Sequence, residues 1–128
     1  MAIRPRYADL FEALCDPDQE RADRAFDSIL FDRGEAVPDL AQCYQEAPRN
    51  AKLRYYVVQL LAFSGDKRAL PTVLQALRDR HPVVRAEACR GLEDLKATKH
   101  LAELEERLTD VDPGVREAAE QTLEVLRS

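Results

Sequence analysis

Apolar residues recur along the chain in two helical stripes that alternate with each other. Val84, Ala88, Leu92 and Leu95 form one stripe, and adding 31 to each number gives Val115, Ala119, Leu123 and Leu126. Subtracting 31 gives Leu53, Val57 and Leu61, and subtracting again gives Ala22, Phe26 and Leu30. A second stripe follows each of the first three: Val37, Leu40, Tyr44; Leu70, Val73, Leu77; Leu101, Leu104, Leu108. Both stripes have the i, i+3/i+4, i+7 spacing of one face of an α-helix. The unit is therefore a hairpin of two amphipathic helices, a first and a second, repeated every 31 residues.

Breakers fall where the hairpins need them. Gly34 and Gly65 suit a left-handed helix end, and Pro38 and Pro71 suit the opening turn of the helix that follows. Asp16-Pro17, His81-Pro82 and Asp112-Pro113 mark the joints between units, as Pro48 with Asn50 does for the second complete unit. Tyr7, Leu10 and Leu14 repeat the second stripe ahead of the first complete unit. The pattern predicts eight helices: a half repeat at 6–15, repeats at 18–46, 49–79 and 82–109, and a terminal half repeat at 113–127. One hairpin cannot bury its stripe alone, so neighbours stack, giving an all-α, elongated α-solenoid, an α-α superhelix with no globular centre.

These residues resemble a known family. Val84-Arg85-x-x-Ala88-x-x-x-Leu92, and the run from Leu53-Arg54 through Gly65-Asp66-x-x-Ala69-Leu70-Pro71-x-Val73-Leu74-x-x-Leu77-x-Asp79, look like HEAT repeats of the short, phycobilin-lyase-like type. The resemblance extends over essentially the whole chain. It departs most in the first unit, where Asp23 stands in the place of a repeated arginine.

The repeated polar residues suggest a structural ladder. Arg54, Arg85 and Arg116 recur at 31, as do Asp79 and Asp110, so an acid ends a second helix and a base opens a first helix at each step. A guanidinium and a carboxylate supply a directional bond wherever a solenoid needs the same orientation again.

In HEAT-like solenoids the second helices line the concave surface, and the resemblance implies the same here. The columns outside the stripes then form its floor: Asp9, Asp39, Thr72, Glu103 and Glu12, Gln42, Gln75, Glu106. This predominantly acidic, amide-bearing floor would attract a basic segment and repel phosphate. Asp39, Gln42, Gln75, Glu103 and Glu106 are the candidate partner contacts, with Tyr55 as a candidate contact or self-association point on the convex side.

The net charge of −5 is divided unevenly. Residues 1–48 carry 5 basic and 11 acidic side chains, residues 49–96 carry 10 and 5, and residues 97–128 carry 4 and 8. The basic middle is spread over several faces and the chain lacks tryptophan, a thin footprint for nucleic acid. Cys15, Cys43 and Cys89 form no Cys-x-x-Cys pair, and His81 and His100 have no ligand neighbours in sequence, so packing thiols are expected and no metal site or cofactor. No apolar run reaches the length of a membrane helix, and a cytoplasmic location is expected. There is no nucleophile elbow, phosphate-binding glycine loop or His–carboxylate pair at catalytic spacing. The expected role is a non-catalytic interaction module that binds a helix or peptide. A bilin lyase-like or accessory protein, suggested by the repeat family, is the alternative, with a nucleic-acid-binding solenoid behind it.

Overall fold

A computed structural model describes residues 2–128, the side chain of Arg33 apart. The eight helices are α1 (Pro5–Ala13), α2 (Gln19–Phe31), α3 (Val37–Glu46), α4 (Ala51–Phe63), α5 (Leu70–Ala76), α6 (Pro82–Asp94), α7 (Leu101–Glu105) and α8 (Pro113–Arg127). No strand occurs among the described residues. First helices α4, α6 and α8 pack side by side in one row, with second helices α3, α5 and α7 between and beside them. The architecture is an α-solenoid.

The stripes are the seams. Val84, Ala88, Leu92, Val115, Ala119, Leu123, Val57 and Leu61 are all buried. Burying a leucine or valine side chain contributes about 1.5–3 kcal/mol relative to leaving it in water, so each seam holds its neighbours by a few such residues. At Gly91 an added Cβ would lie 3.1 Å from the Cβ of Ala62, so the glycine sets the close approach of α6 to α4.

Side-chain caps fix the starts of the first helices. Asn50, His81 and Asp112 accept from the amides of Leu53, Val83 and Val115. At the first unit the cap is Asp18, not Asp16, and the helix begins two residues beyond Pro17, at Gln19. Asp16 instead accepts from the Asp18 amide.

Two second helices are shorter than the stripe predicts. The second half of the 49–79 repeat opens as a 3-10 turn, Lys67–Ala69, before α5, and that of the 82–109 repeat contains only α7 followed by a 3-10 stretch, Glu106–Thr109. The reversal before α7 consumes Ala97–His100, because Lys96 adopts φ +52° and the Ala97 amide bonds back to the Leu92 carbonyl. Gly65, 31 residues earlier, takes the same left-handed conformation at φ +65°. Gly34 does not. It lies in a 3-10 turn where an added Cβ would meet Asp66 Oδ2 at 2.7 Å, so close approach, not handedness, requires the glycine.

Candidate functional site

The charge ladder is an internal scaffold. Arg54 Nε and Nη2 donate to the two carboxylate oxygens of Asp79 at 2.8 and 3.0 Å. Arg85 holds Asp110 in the same way at 2.9 and 3.0 Å. In each arginine the remaining Nη1 ties down the end of the preceding second helix, Arg54 to the Ala47 carbonyl at 2.9 Å and Arg85 to the Asp79 carbonyl at 2.8 Å. Each aspartate also accepts a backbone amide two residues on, His81 and Asp112. Tyr44 completes the first rung through its hydroxyl at 2.7 Å, and Arg107 completes the second at 3.1 Å.

All four rung residues are buried. Burial opposes ionisation of Asp79 and Asp110, but bonds from the guanidiniums and backbone amides outweigh it and hold both carboxyls below their usual range. The rungs are fully paired, so they position the seams and leave nothing for a ligand. Arg116, the third member, bonds the carbonyls of Asp110 and Val111 and is exposed.

The concave candidates divide. Gln75, Glu103 and Glu106 come together around a depression of about 440 Å³ between α5 and α7, with Pro71, Leu74 and Arg107. Its carboxylates are already engaged: Glu103 with His100 Nδ1 at 2.6 Å and Glu106 with Arg78 at 3.5 Å. Gln75 exchanges amide bonds with Gln45 on α3 at 2.6 and 3.3 Å, closing the surface between α3 and α5. Gln42 donates to Glu46 at 2.6 Å on the same helix.

Asp39 is a correction. It is 2% exposed and belongs to the interior, not to the concave floor. Arg4 fastens it with its backbone amide at 2.8 Å and with Nε and Nη2 at 3.0 and 2.7 Å. Burial opposes its charge, and these bonds reverse the effect and lower its carboxyl. Counting acids by column could not reveal this, because Arg4 precedes α1 and belongs to no repeat.

A second concave depression, of about 320 Å³, went unnoticed in the columns. It lies between α1 and α3, with Ile3, Phe11, Cys15, Cys43 and Leu53 in its wall and Glu12 and Glu46 also lining it. Both glutamates are exposed. Glu12 stands in the floor column of Gln42, but Glu46, one turn beyond Gln42, belongs to neither floor column. Burial pushes the Cys43 thiol up to about 11 and Cys89 up to about 12, so both stay protonated at neutral pH.

On the opposite side, Tyr55 is half-buried, edge-on to Tyr56 with centroids 5.5 Å apart. Phe26 packs edge-on against both Tyr56 and Phe63. The aromatics most open to solvent are Phe63 at 45% and Phe31 at 86%. Glu87 faces this cluster: burial raises its carboxyl, with Arg90 drawing it partly back. Among the described residues no three His, Cys, Asp or Glu side chains converge to hold a metal ion, and no helix is long and apolar enough to cross a membrane.

Hairpins stacked at a constant interval and joined by buried Arg–Asp rungs define an α-solenoid repeat protein. A model of HEAT repeats matches residues 37–124, and the chain belongs to that family. Among solved structures it is similar to human deoxyhypusine hydroxylase in complex with glycerol, with a TM-score of 0.76 and 23% identity over 95% of this chain. The chain spans 43% of that protein's length, and the likeness is one of fold. No curated protein sequence matches the chain.

Proposed function

We propose that this protein is a non-catalytic interaction module whose concave surface binds a basic segment of another protein. The observation that carries this reading is the α1–α3 depression, where apolar side chains line a wall beside the exposed carboxylates of Glu12 and Glu46. A lysine or arginine fits such a site in two parts: its aliphatic stem covers the apolar wall while its charge reaches a carboxylate. The α5–α7 depression offers a second contact along the same face, where a basic side chain would displace His100 from Glu103. The amide pair Gln45–Gln75 lies between them and can exchange its mutual bonds for bonds to a peptide main chain.

A peptide library displayed against the purified protein tests this. Enrichment of lysine- and arginine-bearing sequences is expected, with affinity for an enriched peptide falling roughly tenfold or more in Glu12→Lys with Glu46→Lys. A library selected without charge preference, or binding indifferent to both substitutions, would remove the concave reading.

A further inference from the structure

The seam between α2 and α4 departs from the repeat at three positions, and all three line one cleft. Asp23 stands in the column of Arg54 and Arg85, Phe26 in that of Val57, Ala88 and Ala119, and Tyr56 in that of Glu87 and Ala118. The cleft has a volume of about 210 Å³, and apolar Leu14 and Ala22 line it as well. Both of its walls belong to the chain, α2 on one side and α4 on the other.

The two aromatic rings form a corner. Phe26 and Tyr56 are half-buried, their centroids lie 6.3 Å apart and their planes are inclined at 71°. Phe63, edge-on to Phe26 at 6.4 Å, backs the corner from the same helix as Tyr56. The face of an aromatic ring is negative, so a corner of two rings favours a cation over a neutral group of the same shape. Asp23 adds a full negative charge to the same cleft. Its carboxylate is exposed, enters no ion pair among the described residues and accepts there only from the amide of Gln19, at 2.7 Å.

The chemistry of the walls selects among cations. A guanidinium brings five N–H donors and an unmodified ammonium three. Against them the cleft sets one carboxylate already shared with Gln19, the amides of Gln19 and Gln59, and otherwise carbon. Donors left facing carbon are costly. A quaternary ammonium has no donors to satisfy, and its methyl groups carry the charge onto ring faces and apolar side chains alike.

We propose that the α2–α4 cleft is a binding site for a quaternary ammonium group, the trimethylated side chain of a lysine or free choline. Phe26 and Tyr56 receive the methyl groups, and Asp23 supplies the counter-charge. The site lies between first helices, apart from the concave groove, so either assignment can fail without the other.

The probe is N-acetyl-Nε-trimethyllysine methylamide, titrated into the full chain while the aromatic ¹H–¹³C signals of Phe26 and Tyr56 are followed. Both rings are expected to shift saturably. The uncharged isostere, with carbon in place of the quaternary nitrogen, should bind roughly tenfold more weakly, as should the unmethylated lysine derivative. Asp23→Asn should weaken the cation roughly threefold or more and leave the isostere unchanged. Because Asp23 is exposed, this variant should keep the parent melting temperature. Glu12→Lys with Glu46→Lys should leave the binding as it is. Equal affinity for cation and isostere, tighter binding of N-acetylarginine methylamide or of unmethylated lysine, shifts confined to other residues, or no shift at about 10 mM would overturn the proposal. Choline forms the second arm. Tighter binding of choline assigns the site to a free small molecule, tighter binding of the lysine derivative assigns it to a modified protein, and either result upholds the quaternary ammonium.

Discussion

The inner seams, α4 to α6 to α8, differ from the outer seam between α2 and α4 at the two positions that form a rung. Where the inner first helices place Arg54 and Arg85, α2 places Asp23, and where Asp79 and Asp110 follow the inner second helices, Pro48 follows α3. The outer seam therefore lacks a rung. The column that faces inward as Tyr55, Val58 and Ala62 on α4 reads Arg24, Asp27 and Phe31 on α2, and all three are exposed. The buried face of α2 starts on the stripe at Ala22 but continues through Ala25 and Ile29, each one position short of Phe26 and Leu30. A cleft of about 210 Å³ remains between α2 and α4, bordered by Phe26 and Tyr56. The first unit is fastened from the chain's beginning, by Arg4 to Asp39 and by Arg6 and Tyr7 to Asp32. The lesson is that the rung fixes how each helix is turned about its own axis. Apolar spacing alone leaves that rotation free by about one residue.

Removing a rung should do the most damage. Arg54→Ala leaves Asp79 buried with only Tyr44 and a backbone amide, a loss of about 3–5 kcal/mol in chemical denaturation. Arg85→Ala should cost less, because Arg107 still bonds Asp110. Arg4→Ala, at the outer fastening, should lower the melting temperature less than either. Equal effects at all three would mean that the inner rungs have no special standing.

Acidification separates the regions next. The Asp79 and Asp110 carboxyls are held below their unfolded value of about 3.9, so their contribution is complete above that pH and disappears as pH falls through the depressed folded values. Glu87 has the opposite sign: its raised carboxyl disfavours the fold when ionised, and protonation relieves it. Melting temperature is therefore expected to rise slightly on mild acidification and then to fall. Glu87→Gln should reduce the rise, leaving the smaller part that Asp94, also raised by burial, contributes, and should leave the fall.

Two smaller changes sharpen the picture inside the regular region. Lys96→Gly places the residue suited to φ +52° where its repeat partner Gly65 already stands, and should stabilise by about 1 kcal/mol. Thr122 is buried on α8 with no partner for its hydroxyl, so Thr122→Val should be neutral or stabilising by up to about 1 kcal/mol. A loss in either would show that the backbone reversal or the α6–α8 contact carries a constraint beyond those described.

The solenoid was legible because its period is enforced by contacts between identical columns. Val84, Val115 and Arg54, Arg85 do the same work at each step, so their recurrence is a direct image of the packing. The rung partners Asp79 and Asp110 were legible for the same reason. What escaped lay outside the period. Arg4 has no repeat equivalent, so Asp39 looked free when it was enclosed. The pairing of Glu103 with His100 and of Glu106 with Arg78 depends on side-chain reach across turns, which no column records. The α1–α3 depression needed the half repeat to be placed beside α3 in space before Glu12 and Glu46 could be seen together.

The constant 25-residue reach from arginine to aspartate, set within a 31-residue interval, quantises the length of this molecule. An extra copy of residues 50–80 inserted after Arg80 would bring its own arginine and aspartate in register, lengthening the array while every existing bond kept its partner. A copy of thirty or thirty-two residues would instead leave one residue too few or too many in the turns between helices, and a residue lost or gained inside a helix would turn the rest of that helix by about 100° and carry its guanidinium off the carboxylate. Growth and shrinkage by whole modules thus preserve every rung, whereas single-residue changes are confined to the turns, as in the first unit, where Ala22 to Val37 is two residues shorter than Leu53 to Leu70.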